Sequence, residues 1–295
     1  MTCSYDLPHF LGIGAQKSAT TWLDRCLRTH PDLWLPPVKE LHYFTHRGDH
    51  GPEGVRRLFG SDHMSRRLRR LLRSRFRSDL RHLDMRSLRW DFRYFFGSPS
   101  DAWYVSLFAG NAARIVGEIT PEYSKLSSEE VRRVHESFPD LKLIYIMRDP
   151  IDRTWSQIRM LARKRAWSLD NTSAEKLLEL LGDPEIISRS EYVKTLDNWG
   201  RYYPDDRFFI TFLEDVISDP GGLLVRLFSF LGIGSPSLLP PDHENPVNPG
   251  ESRPIPPILE RELARIHIKD LLTLEDRFGY PVTTWRERAE RALAS

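Results

Sequence analysis

Short apolar runs alternate with longer amphipathic stretches along most of the chain, and that alternation predicts strands and helices in turn. Residues 10–13 read as a buried strand, followed by a polar turn and a helix to about Thr29, closed by His30 and Pro31. Residues 33–35, 113–118, 141–147 and 207–212 read as further strands. Ser127 or Ser128 is placed to cap a helix over 129–138. Pro150 opens a helix to roughly Arg165, and 175–181, 190–203, 220–231 and 258–278 carry the remaining helical patterns, the last two ending at Gly232 and Gly279. Residues 51–95 are predicted helical, with Leu68, Leu71, Leu72 and Phe76 on one face. The expected fold is α/β, three-layer, with a mainly parallel central sheet flanked by helices. Ligands bind such sheets at the carboxyl ends of the strands, where the first turn, Glu118 and Arg148 all fall.

That first turn carries the chemistry. Gln16-Lys-Ser-Ala-Thr-Thr-Trp-Leu23 joins a strand to a helix, so backbone amides and the positive helix end converge on one point. Lys17 adds a charge there, and Ser18, Thr20 and Thr21 add hydroxyls. The arrangement suits a phosphate. It approaches the nucleotide-triphosphate loop but has Gln16 where that loop needs glycine. A magnesium site also needs an acid at a neighbouring strand end. The strand at 141–147 ends instead in Arg148-Asp149-Pro150, which suits a second phosphate, while Asp149 keeps a nucleotide kinase or NTPase open as an alternative. The plainer reading of Arg148 is an ion pair with Asp149 or Asp152.

The two motifs together resemble those of sulfotransferases that use 3′-phosphoadenosine 5′-phosphosulfate (PAPS), nearest the heparan-sulfate-type and bacterial branch. The resemblance covers residues 10–285 and implies a P-loop-NTPase-like fold in one domain over 1–295, with an arginine-rich helical insertion at 51–110 and a lid-like loop at 233–257. It implies that Lys17, Ser18, Ala19, Thr20, Thr21 and Trp22 bind the 5′-phosphosulfate, that Arg148 and Ser156 grip the 3′-phosphate, and that Arg253 closes over the nucleotide. Lys39-Glu-Leu-His-Tyr-Phe44 resembles the family segment whose glutamate is the general base, here Glu40. His42 is its orienting partner or a rival base, the two sharing one side if the segment is extended. Gly117-Glu-Ile-Thr-Pro-Glu-Tyr123 resembles a family strand end, with Ile119 where heparan enzymes carry lysine. Glu118 reads as an anchor or a second site carboxylate. Ala19 replaces a common glycine, and a Cβ there restricts positive φ. Tyr192 matches a family helix, where core packing is its commoner meaning. PAPS is the implied co-substrate, with no metal.

Bulk properties narrow the rest. The 295 residues are 28% charged and 40% hydrophobic, with a net charge of +2, too small to imply a nucleic-acid partner. Two cysteines exclude a disulfide framework; Cys26 reads as a core residue and Cys3 as part of the N-terminus. Eleven arginines between Met64 and Phe95 leave an anionic-polymer-binding module as a further alternative. A solvated helix face is the commoner meaning of such a run, and the stretch at 89–95 resembles one common to bacterial relatives. No apolar run near Met1 is long enough for a signal or a span. The expectation is a cytoplasmic bacterial enzyme acting on a small-molecule, lipid or glycan acceptor. No motif fixes the oligomeric state, and a homo-oligomer is allowed.

Overall fold

The computed structural model describes residues 7–46, 59, 63–82, 85–111, 114–169, 172–234, 243–245 and 253–295. Its strands are β1 (Phe10–Gly14), β2 (Leu33–Trp34), β3 (Ile115–Ile119), β4 (Lys142–Met147) and β5 (Phe208–Phe212). They form one sheet in the order β2-β3-β1-β4-β5, and every pairing is parallel. Among the described residues the helices are α1 (Thr20–Arg28), α2 (His63–His82), α3 (Met85–Phe96), α4 (Asp101–Ser106), α5 (Ser128–Ser137), α6 (Pro150–Lys164), α7 (Ala174–Glu179), α8 (Pro184–Ile187), α9 (Tyr192–Gly200), α10 (Leu213–Ser218), α11 (Pro220–Leu231), α12 (Pro257–Phe278) and α13 (Val282–Ala294).

Period-two alternation makes the sheet a middle layer. In β4, Leu143, Tyr145 and Met147 join one buried cluster with Trp155 and Ile158 of α6, Trp199 of α9 and Leu263 of α12. Ile144 and Ile146 join the opposite cluster with Leu23 and Cys26 of α1 and Leu227 of α11. Cys26 is therefore a core residue, and burial pushes its thiol up to about 11. Gly117 lets β3 close on β1, since a Cβ there would lie 2.5 Å from the Phe10 carbonyl oxygen.

Local signals explain the helix starts. Ser127 and Glu130 form a reciprocal capping box on α5, and Asp149 accepts from the Ile151 amide at the start of α6. The arginine-rich stretch folds into α2 and α3, with Leu68 buried and Leu71 and Leu72 packed against the core. Arg75 pairs at 2.6 Å with the fully buried Asp91 and lies over Trp90, so part of this arginine load is structural. Residues 51–58 and 60–62, the Phe76 side chain and Cys3 lie outside the described residues, as do 235–242 and 246–252 of the expected lid-like loop.

Helices α8 and α10 lie where the sequence reading placed none, and α13 lies beyond Gly279, where that reading ended its last helix. Val282, Trp285 and Ala289 are buried at helical spacing and build α13. Only three apolar positions carry that signal among many charges, so the pattern is faint.

Candidate functional site

The loop after β1 has no side-chain cap. Lys17 and Ala19 adopt left-handed backbone, at φ 73° and 57°, and Ala19 occupies the N-cap position of α1. The amides of Thr20, Thr21 and Trp22, the first in the helix, have no acceptor within it. Ser18 is fully buried, and its hydroxyl oxygen has no hydrogen-bond partner, nor has the side-chain oxygen of Gln16. A buried hydroxyl left this way is costly unless a ligand meets it. Thr20 is buried and Thr21 exposed. Trp22 has its ring in the core and donates from Nε1 to the His243 carbonyl at 2.7 Å, so only its amide faces the loop's business.

Arg148, at the end of the neighbouring strand β4, comes to the same loop. Its Nη1 donates to the Lys17 carbonyl at 3.2 Å, while its Nε is buried without a partner. Among the described residues Arg148 forms no ion pair, so the plainer reading is not what the structure contains. Asp149 and Asp152 instead take Arg288 of α13, at 2.9 and 2.8 Å. Asp149 is thereby spoken for on both oxygens, which removes the acid a magnesium–triphosphate site would need. Burial, partly offset by Arg288, pushes its carboxyl up to about 6. The Tyr192 hydroxyl donates to the Arg148 carbonyl at 2.7 Å, and its ring is fully buried, so it packs and also fixes this strand end.

Positive charge accumulates here. The Lys17 ammonium is lowered first by burial, then by Arg163, Arg148, Arg159 and Lys164. Sequence reasoning missed Arg159 and Arg163. Their spacing of three and seven from Ser156 places all three on one face of α6, which was the available signal. Ser156 itself is half-buried. Arg253 is half-buried, and its backbone carbonyl accepts from Trp155 Nε1 of α6 at 2.8 Å. By contrast Arg153, inside the same motif, is fully buried and bonded to Ser190, Gln157, Thr154 and Ile186, a structural role.

The second constellation lies at the carboxyl end of β3. The segment 39–43 is not extended, the condition under which Glu40 and His42 were to share one side: both are left-handed, at φ 64° and 56°, and Phe44–His46 forms a tight turn. Its amides are held by side chains instead of a neighbouring strand. The Leu41 amide donates to Glu118 at 3.1 Å, and the Tyr43 amide to the Tyr123 hydroxyl at 3.0 Å. Glu118, 2% exposed, also accepts from Tyr104, Tyr123 and Thr120 at 2.7–2.8 Å. It anchors the segment, as one of its two sequence readings held. Glu40 and His42 meet all the same, with His42 Nε2 3.5 Å from Glu40 Oε2, and Lys39 Nζ lies 3.1 Å from Oε1. Burial raises the Glu40 carboxyl, but His42 and Lys39 outweigh it and hold it at about 2. Ile119 is 1% exposed and packs over Gly12, so it belongs to the core. The link between the two constellations is the turn after β3, where Ser124 sits against Gly14 of the loop. Among the described residues no group of three His, Cys, Asp or Glu side chains could hold a metal ion.

A parallel sheet with an uncapped, cation-rich strand-to-helix loop at its carboxyl edge defines a P-loop-like group-transfer fold. The model of the sulfotransferase family matches residues 8–236, and the chain belongs to that family. Mouse heparan sulfate glucosamine 3-O-sulfotransferase 6 is 32% identical over 160 residues, covering 52% of this chain and 46% of its own length. Carbohydrate sulfotransferase 15 of mouse is 25% identical over 272 residues, covering 77% of this chain and 44% of its own. The chain thus spans about half the length of these curated relatives. Among solved structures, a sulfotransferase from Alicyclobacillus acidocaldarius superposes with a TM-score of 0.66 at 21% identity, covering 95% of this chain and 99% of that one. The sulfotransferase domain of the Synechococcus PCC 7002 olefin synthase gives 0.51 at 20%, covering 86% and 81%. At such identities the structures establish the fold.

Proposed function

We propose that this chain is one sulfotransferase domain that uses PAPS and sulfates a hydroxyl or amine of a small-molecule, lipid or glycan acceptor. The observation that carries the reading is the buried, unpartnered Ser18 hydroxyl in a loop where Arg148, Arg159, Arg163 and Lys164 gather around Lys17. Lys17, Ser18, Thr20, Thr21 and the amides of Ala19 and Trp22 would bind the 5′-phosphosulfate. Arg148, Ser156 and Arg253 would bind the 3′-phosphate. The bond from sulfur to the bridging oxygen breaks as one forms from the acceptor oxygen or nitrogen to sulfur. Charge moves onto the leaving phosphate, where Lys17 stabilises it. The acceptor proton passes to Glu40, oriented by His42. A carboxylate held near 2 is a weak base, which suits a loose transition state in which the acceptor becomes acidic only as its bond to sulfur forms. A glycan acceptor draws support from the heparan sulfate and carbohydrate sulfotransferases among the relatives. No described helix is long and apolar enough to cross a membrane; a cytoplasmic bacterial setting belongs to the same proposal.

Transfer of label from ³⁵S-PAPS to a panel of acceptor classes, run with and without EDTA, is the direct test. Label transfer that the chelator leaves intact is expected. Hydrolysis of ATP that disappears with EDTA would favour the kinase reading instead.

A further inference from the structure

The foot of α6 presents a charge problem. Arg148, which the proposed function makes a phosphate ligand, is followed by Asp149 at the N-cap and Asp152 in the first turn. Carboxylates there stabilise a helix start, but they oppose an anion bound at the same end, and Asp149 adjoins Arg148 in the chain. The structure resolves this from far along the chain. Arg288 Nη1 donates to Asp149 Oδ2 at 2.9 Å and to Asp152 Oδ1 at 2.8 Å, and its Nε donates to Glu260 at 2.7 Å. The other Asp149 oxygen is occupied by the Ile151 amide at 2.8 Å. Helix α13 is itself fixed for this task. Trp285 is buried and donates to Glu214 at 2.7 Å, and Arg286 pairs with Glu275 at 2.5 Å. Residue 288 lies beyond the 8–236 matched to the family.

We infer that Arg288 is a positioning residue for donor binding: by engaging Asp149 and Asp152 it keeps Arg148 and the start of α6 available to a phosphate. The inference rests on the reading of Arg148 given above. Without Arg288, two carboxylates, one of them buried, face the phosphate position uncompensated. One of them adjoins Arg148 and competes for its guanidinium.

Calorimetric titration of the full chain with adenosine 3′,5′-bisphosphate tests this. Arg288→Ala should raise Kd about tenfold or more, the scale of one charge-assisted contact. Adding Asp149→Asn and Asp152→Asn to Arg288→Ala should restore affinity to near the wild-type value, since no carboxylate then competes. Asparagine keeps the capping oxygen, so helix α6 retains its start. If the triple variant binds as weakly as Arg288→Ala, the residue acts by packing alone and the inference is wrong. The Asp149→Asn/Asp152→Asn pair with Arg288 intact does not depend on Arg288→Ala folding. It should bind at least as tightly as wild type, and a loss as large as that of Arg148→Ala would overturn the idea. Arg148→Ala separates the two claims. If that variant binds normally, the phosphate reading has failed; if it binds weakly while Arg288→Ala does not, only the role of Arg288 has.

Discussion

Lys17, Ala19, Glu40 and His42 are four of the five non-glycine residues with positive φ among those described, and all four lie in the two constellations at the carboxyl edge of the sheet. Strain of this kind persists where the surroundings over-determine it, and it gathers at functional sites. Ala19 offers a clean test. Left-handed backbone costs an alanine ~1 kcal/mol or more, while glycine there gains unfolded-state freedom worth somewhat less. Ala19→Gly should therefore raise the thermal midpoint slightly, as followed by circular dichroism. Lys17→Ala should lower kcat by about 10²–10³, the usual effect of removing a charge-stabilising donor, with an unchanged melting curve. The pH profile of kcat/KM identifies the base. Glu40 is held at about 2, so it should stay ionised throughout the assay range and contribute no acid limb there. An acid limb that vanishes in His42→Asn but survives in Glu40→Gln would give the role to the histidine.

At the scale of elements, sheet and loop were legible from the sequence because each strand is a short apolar run and each turn carries polar or helix-starting residues. The Lys39–Phe44 piece was not. Its conformation was left open, since Glu118 and Tyr123 capture its amides from 77 and 80 residues away and no local signal encodes that. Helix α13 was missed because its apolar face is only a few residues wide, and the role of Arg288 is a long-range ion pair that spacing cannot reveal. Close strand approach makes its own prediction. In Gly117→Ala the new methyl would meet the Phe10 backbone at 2.5 Å, which cannot retreat without disturbing β1. The expected loss is about 1–3 kcal/mol, the range for overpacking a core, measurable by urea unfolding.

For the whole molecule, two carboxylates pull stability in opposite directions with pH. Glu40 titrates lower folded than unfolded, so its contribution is present above the ordinary glutamate range and is lost as pH falls toward about 2. Asp149 titrates higher folded, at about 6, so its contribution is largest below the ordinary aspartate range and is lost as pH rises through about 6. Chemical denaturation between pH 4 and pH 8 should show that second slope in the wild type, and Asp149→Asn should flatten it. If the slope is the same in both, burial at the foot of α6 has been misjudged.

The four cations around Lys17 have a consequence for the proposed cycle as a whole. In the proposed function they address phosphate groups, and those remain on the nucleotide after its sulfuryl group has gone. On that reading spent donor would be gripped about as firmly as fresh donor, so escape of the by-product would set the pace, and accumulated by-product would act as a brake on further rounds.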